Sequence, residues 1–177
     1  MGPGVRKLSL TAHVVFSVGW LGAVVAFLGL AILGLTTDDI ETVRTAYVST
    51  EVVGFFVVLP LCVLAFITGL IQSLGTPWGL IRHYWVLVKL VLTVVATAVL
   101  VLHLSPIARA ADIARTDQLS TSDLSGLRGQ LVVYAVTALA VLLMTASLSV
   151  FKPAGQTRYG RRARGAAHSG RTGTRRT

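Results

Sequence analysis

The sequence predicts an all-α polytopic membrane protein, a four-helix transmembrane bundle with its N- and C-termini cytoplasmic. Three observations predict this. Hydrophobic residues make up 54% of the 177 and charged residues only 13%, about half the charge of an ordinary globular domain. So little charge cannot cover a water-facing surface, a requirement that a bilayer removes. Four apolar stretches reach the length of about 20 residues that a spanning helix needs. The basic residues gather near one set of the helix ends.

The first span covers residues 12–35 and follows Arg6 and Lys7. It exceeds the apolar segment of a signal peptide, roughly 7–15 residues, and no A-x-A site follows, so it reads as a retained helix. His13, Ser17 and Trp20 share one face of it. Gly19, Gly22, Ala23, Ala26 and Gly29 form a small-residue face opposite, of the kind that lets helix backbones approach closely.

A short acidic turn, "TTDDIETVRT", leads to the second span, residues 46–74. Pro60, in mid-span, lacks a backbone donor and crowds the preceding turn, which predicts a kink. The single cysteine, Cys62, has no disulfide partner and no metal-ligand spacing around it, so it reads as a small buried apolar side chain.

"GTPWGLIRHYWVLVKL" (Gly75 to Leu90) crosses to the third span, residues 84–104. Gly75, Thr76, Pro77 and Gly79 supply a tight turn. Trp78, Tyr84 and Trp85 are amphipathic rings suited to headgroup level, and Arg82 sits where phosphates are close, so these four read as interfacial anchors. Beyond this span, Ser105 as N-cap and Pro106 at the first helical position predict a separate short helix on the outer surface. The fourth span covers residues 131–151. Residues 1–151 therefore form the transmembrane domain. Residues 152–177, rich in Gly and Arg without apolar periodicity, read as a basic disordered cytoplasmic tail.

Orientation follows from the cations. With the N-terminus inside, the inner side holds Arg6, Lys7, Arg82 and the eight cations of the tail. The outer side holds Arg44, Arg109, Arg115 and Arg128. The reverse orientation would place the tail outside, against the positive-inside rule. The tail predicts attraction to anionic lipid and carries no signature of specific nucleic-acid recognition. Helix faces in the bundle leave room for a homo-oligomer or a membrane-protein partner.

Polar residues inside a span should face the bundle or reach the interface. Lys89, Thr93, Thr97 and His103 share an arc of the third helix, and Gln130, Tyr134, Thr137, Thr145 and Ser149 share a face of the fourth. With Glu51 of the second helix, Lys89, Thr93, Thr97 and His103 form a candidate polar pathway for a solute or ion. The stem of Lys89 is long enough to carry its ammonium to the inner headgroups. Glu51 and His103 lie at similar depth and are expected to pair across helices. His13 and His83 both sit near the inner surface on different helices. Two such histidines can ligate a haem iron axially or hold a transition metal, so b-type haem or a metal is the cofactor alternative to none. No P-loop, G-x-G-x-x-G, H-E-x-x-H or G-x-S-x-G motif is present, so nothing in the sequence marks an enzyme.

"HVVFSVGWLGAVVAFLGLA" (His13 to Ala31), "SLGTPWGLIRHYWVLVKLVLT" (Ser73 to Thr93) and "LSVFKPAGQTRYG" (Leu148 to Gly160) resemble a family of bacterial four-helix integral membrane proteins of unknown function. That resemblance implies a multi-pass protein of the bacterial cell membrane and no particular activity. His13, Trp20, Leu21, Gly22 and Ala23 are also similar to the first helix of copper-resistance-D-like membrane proteins, which implies copper handling. The chain has one Cys and two Met, and no stretch rich in the soft ligands that Cu(I) prefers.

Overall fold

A computed structural model describes residues 2–75, 84–116 and 124–151, with the side chains of Trp85 and Ser125 outside that set. It contains four long helices, each long and apolar enough to cross a membrane, and no strand among the described residues.

Helix α1 runs Pro3–Thr36 and starts with proline in its first turn, where the missing N–H costs no hydrogen bond. Helix α2 runs Ile40–Gly75. Asp39 caps it: the carboxylate accepts from Thr42 N at 2.9 Å and from Thr42 Oγ1 at 2.5 Å. Helix α3 runs Tyr84–Ala114 and helix α4 Ser125–Phe151. At 1.5 Å per residue, the 34 residues of α1 extend about 51 Å, well beyond a hydrocarbon core of about 30 Å.

Pro106 behaves differently from the sequence expectation, and Pro60 is accommodated by a local change in the helix. Pro60 does not end or break α2. The helix widens into a π turn at Gly54–Val58 just before it, with Leu59 N–H bonded to Gly54 O. One extra residue in the turn relieves the crowding that a proline ring imposes on the carbonyl four residues back. Pro106 does not start a separate surface helix. It lies inside α3, which continues unbroken to Ala114. An interior proline costs about 3 kcal/mol. After it come Ile107, Ala110, Ala111 and Ala114, all buried. Burying one Ile side chain alone is worth about 1.5–3 kcal/mol, so the buried stripe offsets the proline. The third span is thus ten residues longer than the apolar run suggests, and α4 begins before residue 131.

The helices alternate in direction and form a square. Each packs along its length against its two neighbours in the order α1, α2, α3, α4. The ends that carry Pro3, Gly75, Tyr84 and Phe151 form the terminal end of the bundle; the opposite ends form the distal end. Gly19 meets Leu61 and Gly34 meets Tyr47 between α1 and α2, and Gly54 meets Ile107 between α2 and α3.

The core has two layers. Toward the distal end, Phe27, Ala31, Val43, Tyr47, Ile107, Ala110, Ala114, Leu124, Leu131 and Ala135 pack together. In the middle, Trp20, Ala23, Val24, Val58, Cys62, Ala65 and Leu142 do so. Many of these are alanines, and small residues at helix contacts let backbones approach for dispersion and polar contacts, which drive association where lipid replaces water. The outward faces remain apolar: Val18, Ile32, Phe56, Val95, Leu102 and Val133 are all exposed. Such extensive exposed apolar surface is untenable in water and natural against lipid tails.

The face by which α1 packs differs from the small-residue face read in its sequence. Trp20, Ala23, Val24, Phe27, Ala31 and Gly34 are buried, whereas Gly22, Ala26 and Gly29 are exposed. The buried face combines Trp20, Val24 and Phe27, which make more dispersion contacts than a glycine can, with the small residues Ala23, Ala31 and Gly34.

Candidate functional site

Several polar side chains bond between helices toward the terminal end. His13 Nδ1 of α1 lies 3.1 Å from Ala65 O and 3.2 Å from Thr68 Oγ1, both on α2. A carbonyl only accepts, so Nδ1 carries the hydrogen and Nε2 is the lone-pair nitrogen of the neutral ring. The ring fits against Gly69, where a Cβ would stand 2.9 Å from His13 Cε1. One turn nearer the terminal end, Gln72 Nε2 donates to Ser9 O at 2.9 Å. Histidine and glutamine thus tie α1 to α2 across the half of the bundle with fewer large buried side chains.

Lys89 lies on α3 at this end. Its ammonium reaches the last turn of α4. It donates to Ser149 Oγ of α4 at 2.6 Å, and Ser149 Oγ in turn donates to Thr145 O at 2.9 Å. The half-buried lysine is therefore bound within the bundle by a neighbouring helix.

Above Lys89, Thr93 Oγ1 donates to Lys89 O and Thr97 Oγ1 to Thr93 O, each at 2.8 Å. These bonds to the preceding turn satisfy the hydroxyls inside their own helix. Cys62 Sγ is 3.3 Å from Thr97 Oγ1. With the threonine hydrogen directed to Thr93 O, the buried thiol is the donor of this pair. Lys89, Thr93 and Thr97 do share one stripe, as their spacing predicts, and it faces Cys62 of α2 and Ser149 of α4.

The rest of the expected pathway lies elsewhere. Glu51 and His103 do not pair with each other. Glu51 forms an ion pair with Arg115 Nη2, and Arg115 Nη1 is 3.2 Å from Asp112 Oδ1. His103 Nδ1 is 2.5 Å from Val99 O, and its ring meets Tyr134 edge-on with the planes 65° apart. Helix α3 continues past residue 104, and Gly54 lies opposite Ile107. That register carries Glu51 toward the last turn of α3, beyond His103. Gln130 Nε2 donates to the Tyr134 hydroxyl.

At the distal end, Arg44 Nη2 donates to Thr116 O at 3.3 Å and Nη1 lies 3.8 Å from Glu41. Two bonds from Thr42 hold the Asp39 carboxyl below the usual carboxylate range. The Glu51 carboxylate, with Asp112 beside it, holds the Arg115 guanidinium above its ordinary value. Arg128, which the sequence assigns to the outer loop, is buried in α4. Its signal was present: Leu124, Arg128 and Leu131 recur at helical spacing, placing the arginine on an apolar face.

Tyr84 opens α3 and is exposed, as suits a ring at an interface. Trp78, Arg82 and His83 lie outside the described residues, as do the side chain of Trp85 and residues 152–177. The His13–His83 pair therefore has one described member, on α1. Among the described residues no three His, Cys, Asp or Glu side chains gather in a way that could hold a metal ion.

No family model, no curated protein and no solved structure matches the chain.

Proposed function

We propose that the chain is a non-enzymatic component of the bacterial plasma membrane, an accessory subunit with both termini in the cytoplasm and its basic tail on anionic lipid. On this reading it belongs with the four-helix membrane proteins of unknown function that its motifs resemble. The observation that supports it most is how the polar groups within the spans are engaged. His13, Gln72, Lys89, Thr93 and Thr97 all bond to a neighbouring helix or to the preceding turn. The bonds of His13, Gln72 and Lys89 tie neighbouring helices together, and those of Thr93 and Thr97 satisfy their hydroxyls inside their own helix. The outward faces are left apolar, for lipid or for a partner helix. Native electrophoresis of membranes solubilised in mild detergent tests the role. The chain should migrate within a larger complex; migration as a lone 18.8 kDa chain would contradict it. For the tail, a peptide of residues 152–177 should cosediment with anionic vesicles and not with neutral ones.

A second reading has one observation in its favour. With Nδ1–H on Ala65 O, His13 presents Nε2 as its unprotonated nitrogen, the arrangement that ligating histidines share. A haem or metal held there, with His83 as the partner ligand, is the cofactor form of this protein. An absorption spectrum of detergent-purified protein, expressed with haem supplied, discriminates. A Soret band lost in His13→Ala supports the haem; no band removes it.

A further inference from the structure

We propose that Arg128 and Tyr47 form a binding site for a phosphate-type oxyanion at the distal end of the bundle. The site goes beyond the role proposed above and does not depend on it.

Leu124, just before α4, and Leu131 within it lie at helical spacing on either side of Arg128 and are fully buried in one cluster with Tyr47. Arg128 is 7% exposed, and its Nε and Nη2 are buried with no hydrogen-bond partner among the described residues. Tyr47 is 0% exposed, and its hydroxyl is likewise without a partner. The backbone of α1 at Gly34 lies against one side of the tyrosine ring. One turn away on α2, Arg44 Nε is a third buried donor without a partner.

These groups point to an anion by their chemistry. A guanidinium offers five donors and no acceptor, and it stays charged at any physiological pH. Burying such a charge requires a counter-charge. The described acids nearby are engaged or exposed: Glu41 lies with Arg44, Glu51 and Asp112 pair with Arg115, Asp39 caps α2 and Asp38 faces outward. A guanidinium edge matches two oxygens of one oxyanion. A tetrahedral phosphate has further oxygens for the Tyr47 hydroxyl and Arg44 Nε, which a carboxylate lacks. The phosphate can be free or belong to a lipid headgroup.

The test uses the full chain purified in detergent. Inorganic phosphate is titrated against chloride at equal ionic strength while Tm is read, and lipid retained by the protein is measured by mass spectrometry. A phosphate-specific rise in Tm identifies a free oxyanion; a retained phospholipid identifies a headgroup. Either supports the site if Arg128→Gln weakens it by about tenfold or more, as loss of a charge-assisted bond implies. Tyr47→Phe, which keeps the buried ring, should weaken it less and guards against misfolding of the arginine variant. Neither a Tm response nor retained lipid in the wild type overturns the proposal, as does a response unchanged in both variants. A phosphate response that appears only in Asp117→Asn or Asp123→Asn also overturns it, because the counter-charge would then be the chain's own carboxylate.

Discussion

His13 on α1 and Gly69 on α2 fit one another as ring and notch. A Cβ at residue 69 would stand 2.9 Å from His13 Cε1, while His13 Nδ1 bonds Ala65 O one turn away. Gly69→Ala must therefore move the imidazole and weaken that bond. A destabilisation of about 1–3 kcal/mol follows. His13→Ala should cost a similar amount, and the double variant less than the sum, because once the ring is gone the added methyl meets open space. Unfolding in detergent across the four proteins measures this; strict additivity would contradict it.

Gly34 and Tyr47 give a more severe version. A Cβ at residue 34 would stand 2.7 Å from Tyr47 Cζ, and Tyr47 is completely buried, so the ring has nowhere to retreat. Gly34→Ala should destabilise by about 1–3 kcal/mol, read as a fall in the thermal midpoint. Gly22→Ala serves as the comparison. Nothing lies within 4 Å of a Cβ there, so that change should be neutral or slightly stabilising through helix propensity.

The Glu51–Arg115 pair joins α2 to the end of α3, with both side chains partly exposed. Solvent screening keeps its contribution small, about 0.2–1 kcal/mol. A double-mutant cycle with Glu51→Gln and Arg115→Gln should give a coupling in that range that shrinks as salt is raised. A coupling that does not respond to salt would mean that the pair is shielded from solvent.

Asp39 predicts a pH dependence. Its folded carboxyl titrates below its ordinary value because Thr42 donates two bonds to the charged form. The stabilisation is therefore present above the ordinary carboxylate range and is lost as pH falls through the lowered folded value. The wild type should lose more stability than Asp39→Asn over that acid interval, since asparagine also caps a helix but does not titrate. Parallel pH curves for the two proteins would remove Asp39 as the cause.

The architecture was legible because each span is a long apolar run, and such a run admits few structures. What the sequence concealed depends on how the helices meet. Ser105 and Pro106 look like a helix start by local rules, yet packing of Ile107 and Ala110 against α2 carries α3 through them. That extension also shifted the register and gave Glu51 to Arg115 instead of His103. The length of the Lys89 stem was visible in the sequence, whereas its partner Ser149, sixty positions away on another helix, was not. The stripe of Lys89, Thr93 and Thr97 was readable from helical spacing alone. The notches at Gly34 and Gly69 were not, since a glycine's partner belongs to another helix.

The central claim is that four helices cross a membrane with the turn between α1 and α2 outside and the terminal end inside. Cysteine accessibility in intact cells tests it most directly, with Cys62 replaced by serine and single cysteines placed at Asp38 and at Gly75. A membrane-impermeant thiol reagent should label Asp38→Cys in intact cells and Gly75→Cys only after permeabilisation. Labelling of Gly75→Cys in intact cells, or recovery of the chain in the soluble fraction without detergent, would contradict the account.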